Sequence, residues 1–219
     1  MKKFLAVAGN IGVGKSTLVT KLCEVLGWEP YYEPVAENPY LKDFYEDMQT
    51  WAFHSQVYFL THRMRSHFEL LQSPASVVQD RTVYEDANIF ARNLFLQGHI
   101  SERDYATYRG LFDLFITMLD PPDLMLYLAA PVETLLERIS QRGRDFESTI
   151  SAEYLAQLNE LYKDWISGFN LCPVLRIPAD KLDFAHIPGH IELIASKVEE
   201  KLHGKEEVFF DPEDIMRYQ

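Results

Sequence analysis

The stretch FLAVAGNIGVGKST at residues 4–17 constrains this chain more than any other. An apolar run, a glycine-rich turn and an apolar-periodic segment opening at Ser16 read as strand, loop and helix in that order. Gly9, Gly14, Lys15 and Ser16 satisfy the pattern G-x-x-x-x-G-K-[ST]. In such a loop the backbone amides and the start of the following helix point at phosphate. The lysine neutralises its charge and the hydroxyl reaches Mg²⁺. Residues Gly9, Asn10, Ile11, Gly12, Val13, Gly14, Lys15, Ser16 and Thr17 are therefore expected to hold a nucleoside triphosphate. Chance is the alternative reading, and the flanking strand and helix speak against it.

Further strand-like runs recur at 28–33, 76–80, 123–128 and 173–178, with helical stretches between them. In STLVTKLCEVL, Leu18, Leu22, Val25 and Leu26 share one face and Gly27 stops the helix. Segments 50–72, 83–97, 101–119, 131–142, 150–168 and 187–203 also read as helices. This alternation predicts an α/β fold, a five-stranded parallel sheet flanked by helices. Neither a repeat nor a linker is visible, so one domain over 1–205 is expected, with 206–219 as a charged, irregular, flexible tail in which Phe209 and Phe210 could dock.

The formal net charge is −12. An acidic surface repels nucleic-acid backbone, so any anion must be held in a locally basic pocket. Cys23 and Cys172 form no CxxC and read as buried free thiols, which points to a cytoplasmic location. The opening MKKFLAVAGNIG starts like a secretory signal, but its apolar stretch ends in the glycine loop. No run reaches the roughly 20 apolar residues of a membrane span. In HIPGH the Pro and Gly are expected to keep the two imidazoles off one helix face, and no zinc site is expected.

What is done with the nucleotide is narrowed by what is missing. A switch GTPase would need a guanine-reading Asn-Lys-x-Asp, and none is present. SVVQDR offers Asp80 at a strand end, as a motor ATPase would, but Arg81 follows at once. Asp80 could orient Mg²⁺ or its waters, and Arg81 could hold an acceptor oxygen; the plain alternative is a surface ion pair. In YYEPV, Glu33 closes the second strand, where a doubly wound sheet gathers its ligands. A carboxylate there accepts a proton from an attacking hydroxyl, or is simply a solvated strand end. Arg138, Arg142 and Arg144 in ERISQRGRDFE suggest an arginine-rich lid over transferring phosphate. Cations favouring a helix C-terminus would explain fewer of them. In FYEDMQTWAFHSQVYFLTHR, Gln56 and Arg63 stand seven apart and share a helix face. Gln56 offers both a donor and an acceptor to a base edge, and Arg63 could pair with Asp86; each alone could equally be an exposed polar side chain.

These ordered blocks, together with DRTVYEDANIFARNLF and DKLDF, resemble the deoxyribonucleoside kinase family from about residue 3 to residue 185. The resemblance implies a P-loop kinase that moves the γ-phosphoryl of ATP to a deoxynucleoside 5′-hydroxyl with Mg²⁺. It implies that Glu33 is the general base, that Arg81 binds the 5′-hydroxyl region, and that Ser16 and Asp80 hold the metal. It further implies that Tyr45 and Glu147 bind the sugar 3′-hydroxyl and that Gln56, Arg63 and Asp86 read the base while Phe90 stacks on it. Arg142 and Arg144 would clamp phosphates, Arg138 would pack on the donor's adenine, and Asp183 and Phe184 would lie in the loop covering it.

Three departures bear on the substrate, one of them Phe44 where a Met is familiar. Position 38 is Asn, a spelling similar to bacterial deoxyadenosine and deoxyguanosine kinases, and Ser55 is small and expected to open room for a purine. Deoxyadenosine is the first expected acceptor, then deoxyguanosine and deoxycytidine. A thymidylate kinase is the nearest rival, although its acceptor would want a cation where Glu33 stands. A catalytically silent nucleotide-binding subunit is the other. The family is usually homodimeric through its long helices, and neither nucleic acid nor membrane is an expected partner.

Overall fold

The structure, a computed structural model, describes residues 2–32, 38–144, 147 and 150–218. Its centre is a parallel five-stranded sheet of β1 (Phe4–Gly9), β2 (Glu29–Tyr31), β3 (Val77–Asp80), β4 (Leu124–Ala129) and β5 (Val174–Pro178), in the order β2-β3-β1-β4-β5. Of the expected run 28–33, Glu29–Tyr31 forms the strand, and Glu33 lies outside the described residues. β1 and β4 are apolar nearly throughout because helices cover both faces of the sheet. Leu5 and Val7 point into one core layer and Phe4, Ala6 and Ala8 into the other, as the two-residue period of a strand requires.

One layer holds α1 (Lys15–Leu26), α7 (Val132–Arg142) and α9 (Pro188–Leu202). α1 buries Leu18, Val19, Leu22 and Cys23, while Val25 in its last turn is exposed. Gly27 ends it at φ 68°, its N–H bonded to the Cys23 carbonyl at 2.9 Å. The other layer holds α8 (Ala152–Gly168) and the inner face of α3 (Met48–Gln72). α2 (Leu41–Glu46) and α6 (Glu102–Ile116) pack outside α3 and complete the frame.

The stretch 83–97 is not one regular helix. It runs as α4 (Val83–Glu85), a π-helical segment Asp86–Phe90 and α5 (Ala91–Leu96). The Ala91 N–H bonds the Asp86 carbonyl, and the wider π turn sets Asp86 and Phe90 toward the same cleft. The segment 206–219 differs from the irregular tail expected of it. α10 (Pro212–Arg217) buries Ile215 in the core layer of α1 and α9, with Val208 and Phe210 packed beside it and Phe209 exposed. Burying these apolar side chains offsets the ordering of the backbone that carries them. Both cysteines are free, and burial pushes Cys23 up to about 11 and Cys172 to about 12. Among the described residues no helix is long and apolar enough to cross a membrane.

Candidate active site

β1 and β3 are neighbours with Val7 opposite Asp80, so the loop after β1 and the Asp80–Arg81 pair open into one cleft. The cleft has a volume of about 920 Å³ and runs along the carboxyl ends of the strands. At its donor end stand Ile11, Gly12, Gly14, Lys15, Ser16 and Thr17. Gly9, Asn10 and Val13 support that wall from behind. Val13 is fully buried, and the Asn10 amide donates to the Leu155 carbonyl at 2.9 Å and to Asn159 Oδ1 at 2.8 Å. Lys15 Nζ donates to the carbonyls of Gly9 and Asn10 at 2.8 and 2.9 Å, which folds the cation back over its own loop. Arg138 spans the loop's far side, donating to the Val13 carbonyl at 2.8 Å and the Ala179 carbonyl at 2.7 Å.

The motif leaves position 12 open, yet the fold does not. Gly12 has φ 79°, and a Cβ there would lie 2.7 Å from Ile139 Cγ1 and 2.8 Å from the Leu135 carbonyl oxygen. Gly12→Ala is expected to weaken ATP binding at least about tenfold, because backbone must shift and the loop with it. Gly27→Ala is the control, since its φ is also positive but no atom lies within 4 Å of the added Cβ. Calorimetric titration with ATP should separate the two.

Ser16 Oγ approaches Asp80 Oδ2 to 2.5 Å at the root of the loop. Next to it Arg81 stands at φ 65°, a left-handed conformation uncommon outside glycine and worth notice at a functional position. Its guanidinium lies 4.3 Å over the Phe90 ring and donates to Tyr162 Oη at 3.1 Å. Glu85 is wholly buried and was not foreseen. It accepts from the N–H groups of Gly9 (3.1 Å) and Thr82 (2.8 Å) and from Tyr162 Oη (2.7 Å). The signal was in the sequence, since TVYE is a capping box with Thr82 at the cap and Glu85 three residues on.

The acceptor end is built from α2, α3 and the π segment. Tyr45, Gln56, Arg63, Asp86 and Phe90 all line it, joined by Phe44, Phe59 and Tyr154. Arg63 and Asp86 form an ion pair and are only 4% and 1% exposed. The Gln56 side chain is buried, and its amide oxygen has no hydrogen-bond partner among the described residues. Phe59 sits between Gln56 and Arg63 on the same helical face, which spacing alone would have indicated; its ring lies 5.3 Å below the Arg63 guanidinium. Ser55 is corrected. It is fully buried, does not line the cleft, and accepts from Asn38 Nδ2 at 3.1 Å, so it anchors position 38 rather than widening the pocket.

The two arginines expected to clamp phosphates and Glu147, one of the two residues expected on the sugar, are paired with one another. Glu147 accepts from Arg142 Nε and Nη2 at 3.0 and 2.5 Å and from Arg144 Nη1 at 3.3 Å. Glu147 is buried while both guanidinium groups remain partly exposed on the cleft. Asp183 and Phe184 line the donor end opposite, with the Phe184 ring 3.2 Å from where a Cβ on Gly14 would stand.

The HIPGH imidazoles do not share a helix face, as expected, since His186 precedes α9 and His190 lies in its first turn. Pro188 opens α9 rather than breaking it, because its missing N–H is no loss in a first turn. His190 is buried and its Nδ1 accepts the Asp183 N–H at 2.9 Å, while His186 meets the Asp183 carboxylate at 2.9 Å. Burial opposes ionisation of Asp183, but the hydrogen bonds from His186 outweigh it and hold the carboxyl below its ordinary range. Glu33 lies outside the described residues, as do 145, 146, 148 and 149 of the lid block.

The deoxynucleoside kinase family profile matches residues 5–203. The chain is 40% identical over 204 residues to deoxyadenosine/deoxycytidine kinase of Bacillus subtilis strain 168, covering 92% of this chain and 94% of that one. It is 39% identical over 174 residues to deoxyadenosine kinase of Dictyostelium discoideum, covering 79% and 71%. Among solved structures, deoxyadenosine kinase of M. mycoides with the products dCMP and a flexible dCDP bound superposes with a TM-score of 0.80 at 31% identity. That match covers 90% of this chain and 99% of the other. A match that spans nearly the whole chain, over a cleft that joins a phosphate loop to a buried polar pocket, leads to one conclusion: the chain belongs to the deoxynucleoside kinase family and is an enzyme that phosphorylates deoxynucleosides.

Proposed function

We propose that deoxyadenosine is the preferred acceptor, with deoxyguanosine and deoxycytidine as further acceptors, and that ATP with Mg²⁺ is the donor. The observation that carries this reading is the buried Arg63–Asp86 pair, set beside Gln56 in the same cleft as the phosphate loop. A guanidinium, a carboxylate and an amide together match the donor and acceptor edges of adenine or cytosine. The relatives named for deoxyadenosine and deoxycytidine support the same acceptors.

In this mechanism Glu33 takes the proton of the 5′-hydroxyl and Arg81 holds the oxygen that attacks. Lys15 and the loop amides hold the donor phosphates, and Tyr45 and Glu147 hold the sugar. Arg142 and Arg144 exchange Glu147 for phosphate as the lid engages. Ser16 Oγ and Asp80 Oδ2 are hard oxygen donors already side by side, and these two residues would hold a Mg²⁺. Held there, the ion would supply charge neutralisation for the transferring phosphate. The rest is positioning by the residues named.

A cytoplasmic homodimer completes the reading. Phe68 on α3 and Leu111 and Leu114 on α6 are exposed, as is Met118 just beyond it, and apolar helix faces of this kind suit a second copy. Light scattering should give twice the chain mass. The decisive test is the initial phosphorylation rate with MgATP across deoxyadenosine, deoxyguanosine, deoxycytidine, thymidine, adenosine and thymidylate. Deoxyadenosine is expected fastest, with thymidine and adenosine at least about tenfold slower, since a missing or crowded polar contact is rejected strongly. Turnover of thymidylate alone would overturn the reading.

A further inference from the structure

The Tyr162 side chain lines no part of the cleft, yet its hydroxyl touches both halves of the site. It lies 2.9 Å from the Gly9 carbonyl oxygen and 2.7 Å from Glu85 Oε1, and it receives Arg81 Nη1 at 3.1 Å. A phenol has one proton to give, and the nearer carboxylate is the stronger acceptor. Burial pushes this phenol well above its ordinary value, so at neutral pH the proton stays on oxygen. Glu85 Oε1 in turn accepts the Gly9 N–H at 3.1 Å and lies 3.7 Å from Arg81 Nη1. Gly9 is thus held at its N–H by the carboxylate, the phenol holds that same carboxylate oxygen, and both groups face the arginine.

Arg81 needs such support. Its φ of 65° is strained for a side chain of this size, and such conformations persist only where the surroundings over-determine them. Its N–H bonds the Val7 carbonyl at 3.0 Å, and the next N–H, of Thr82, enters Glu85 Oε2 at 2.8 Å. A buried acid with a buried phenol is costly where apolar side chains would pack, and core packing alone would be met by phenylalanine at 162. The ring is already seated, stacked on Tyr127 at 5.9 Å and edge-on to Phe90 and Trp165.

We propose that Tyr162 is a positioning residue for phosphoryl transfer, fixing the distance between the phosphate loop at Gly9 and the guanidinium of Arg81. Donor and acceptor are thereby aligned from behind by one hydroxyl, which acts through Arg81. The proposal rests on the reading of Arg81 as the group that holds the attacking oxygen, and the test separates the two.

Tyr162→Phe keeps the ring and removes only the hydroxyl. The expected result is a kcat lower by about 10- to 100-fold, with KM for ATP and for deoxyadenosine changed by no more than about threefold, because misplacement near an ångström costs rate rather than binding. A double-mutant cycle with Arg81→Lys supplies the reading that a merely structural role would not move. If Tyr162 acts through Arg81, the double variant is no slower than Arg81→Lys alone within about threefold. Multiplied effects, or an unchanged kcat in Tyr162→Phe, overturn the proposal. An unchanged kcat in Arg81→Lys overturns the arginine reading and the proposal with it, whereas a slowed Arg81→Lys beside a normal Tyr162→Phe sinks the proposal alone. Thr82→Val reaches the same carboxylate from Oε2 by removing a 3.3 Å contact, and serves should Tyr162→Phe not fold. Its kcat is expected to fall several-fold, again without multiplying the Arg81→Lys effect, and an effect that multiplies overturns the proposal.

Discussion

Replacing Glu33 by glutamine is expected to slow phosphorylation of deoxyadenosine by about 100- to 10,000-fold while changing nucleoside affinity only a few-fold. The amide keeps the size of the side chain and its hydrogen-bonding reach, but it cannot take a proton at neutral pH. The sheet order supports that assignment. β2 lies beside β3, whose end carries Asp80 and Arg81, and β3 lies beside β1 with its phosphate loop. β2 therefore ends with Tyr31 opposite Gln79, one residue before Asp80. Tyr32, the residue before Glu33, is tied to α1 by a 2.8 Å hydrogen bond between its hydroxyl and Thr20 Oγ1. Single-turnover rates separate chemistry from product release, and calorimetric titration with deoxyadenosine gives the affinity. Turnover within a few-fold of the parent would remove Glu33 from the chemistry. A loss confined to affinity would make it a binding group instead.

What the sequence discloses follows from how far each signal reaches along the chain. FLAVA and DLMLYL read as buried strands because parallel strands covered on both faces are apolar at every position. Gly27 read as a stop because a left-handed residue after a helix favours glycine. Gln56 and Arg63 were legible as a pair because seven residues on a helix return to one face, and both now line the same wall as Asp86. Other features are settled by partners distant in sequence. Glu85 and Tyr162 are 77 positions apart, and Asn10 and Asn159 are 149 apart, so no local pattern joins them. The π segment at Asp86–Phe90 has no periodic mark of its own, since the extra residue per turn becomes visible only once both side chains must face the cleft. The last residues looked like a charged tail because Ile215, like Val208 and Phe210, stands among acids. It buries only against a face of α1 and α9 that must exist first. Ser55 misled for a related reason, since small size suggested space, whereas its hydroxyl is occupied by Asn38.

Asp86→Ala is expected to lower stability by about 3–5 kcal/mol, a fall of roughly 10 °C in Tm for a domain of this size, because it leaves the Arg63 charge buried without its carboxylate. Arg63 is 4% exposed and packed over Phe59, so its charge stays largely desolvated. The exposed pair Lys42–Glu46 is the contrast, with side chains 82% and 68% exposed at 3.9 Å, and Glu46→Ala is expected to leave Tm unchanged. Thermal and urea unfolding of both variants would measure the difference, and equal effects would show that burial of the Arg63–Asp86 pair carries no penalty. The further comparison is Arg63→Met combined with Asp86→Leu. Exchanging a buried ion pair for apolar side chains of similar volume is often neutral or stabilising, so this double variant should regain most of the lost Tm. Its turnover of deoxyadenosine should nevertheless stay low, since Gln56 alone would then face the base edge. A protein that is stable but inactive would assign the pair to base recognition rather than to the fold. Recovery of both stability and turnover would instead leave the choice of nucleoside to Gln56 and the aromatic walls at Phe59 and Phe90.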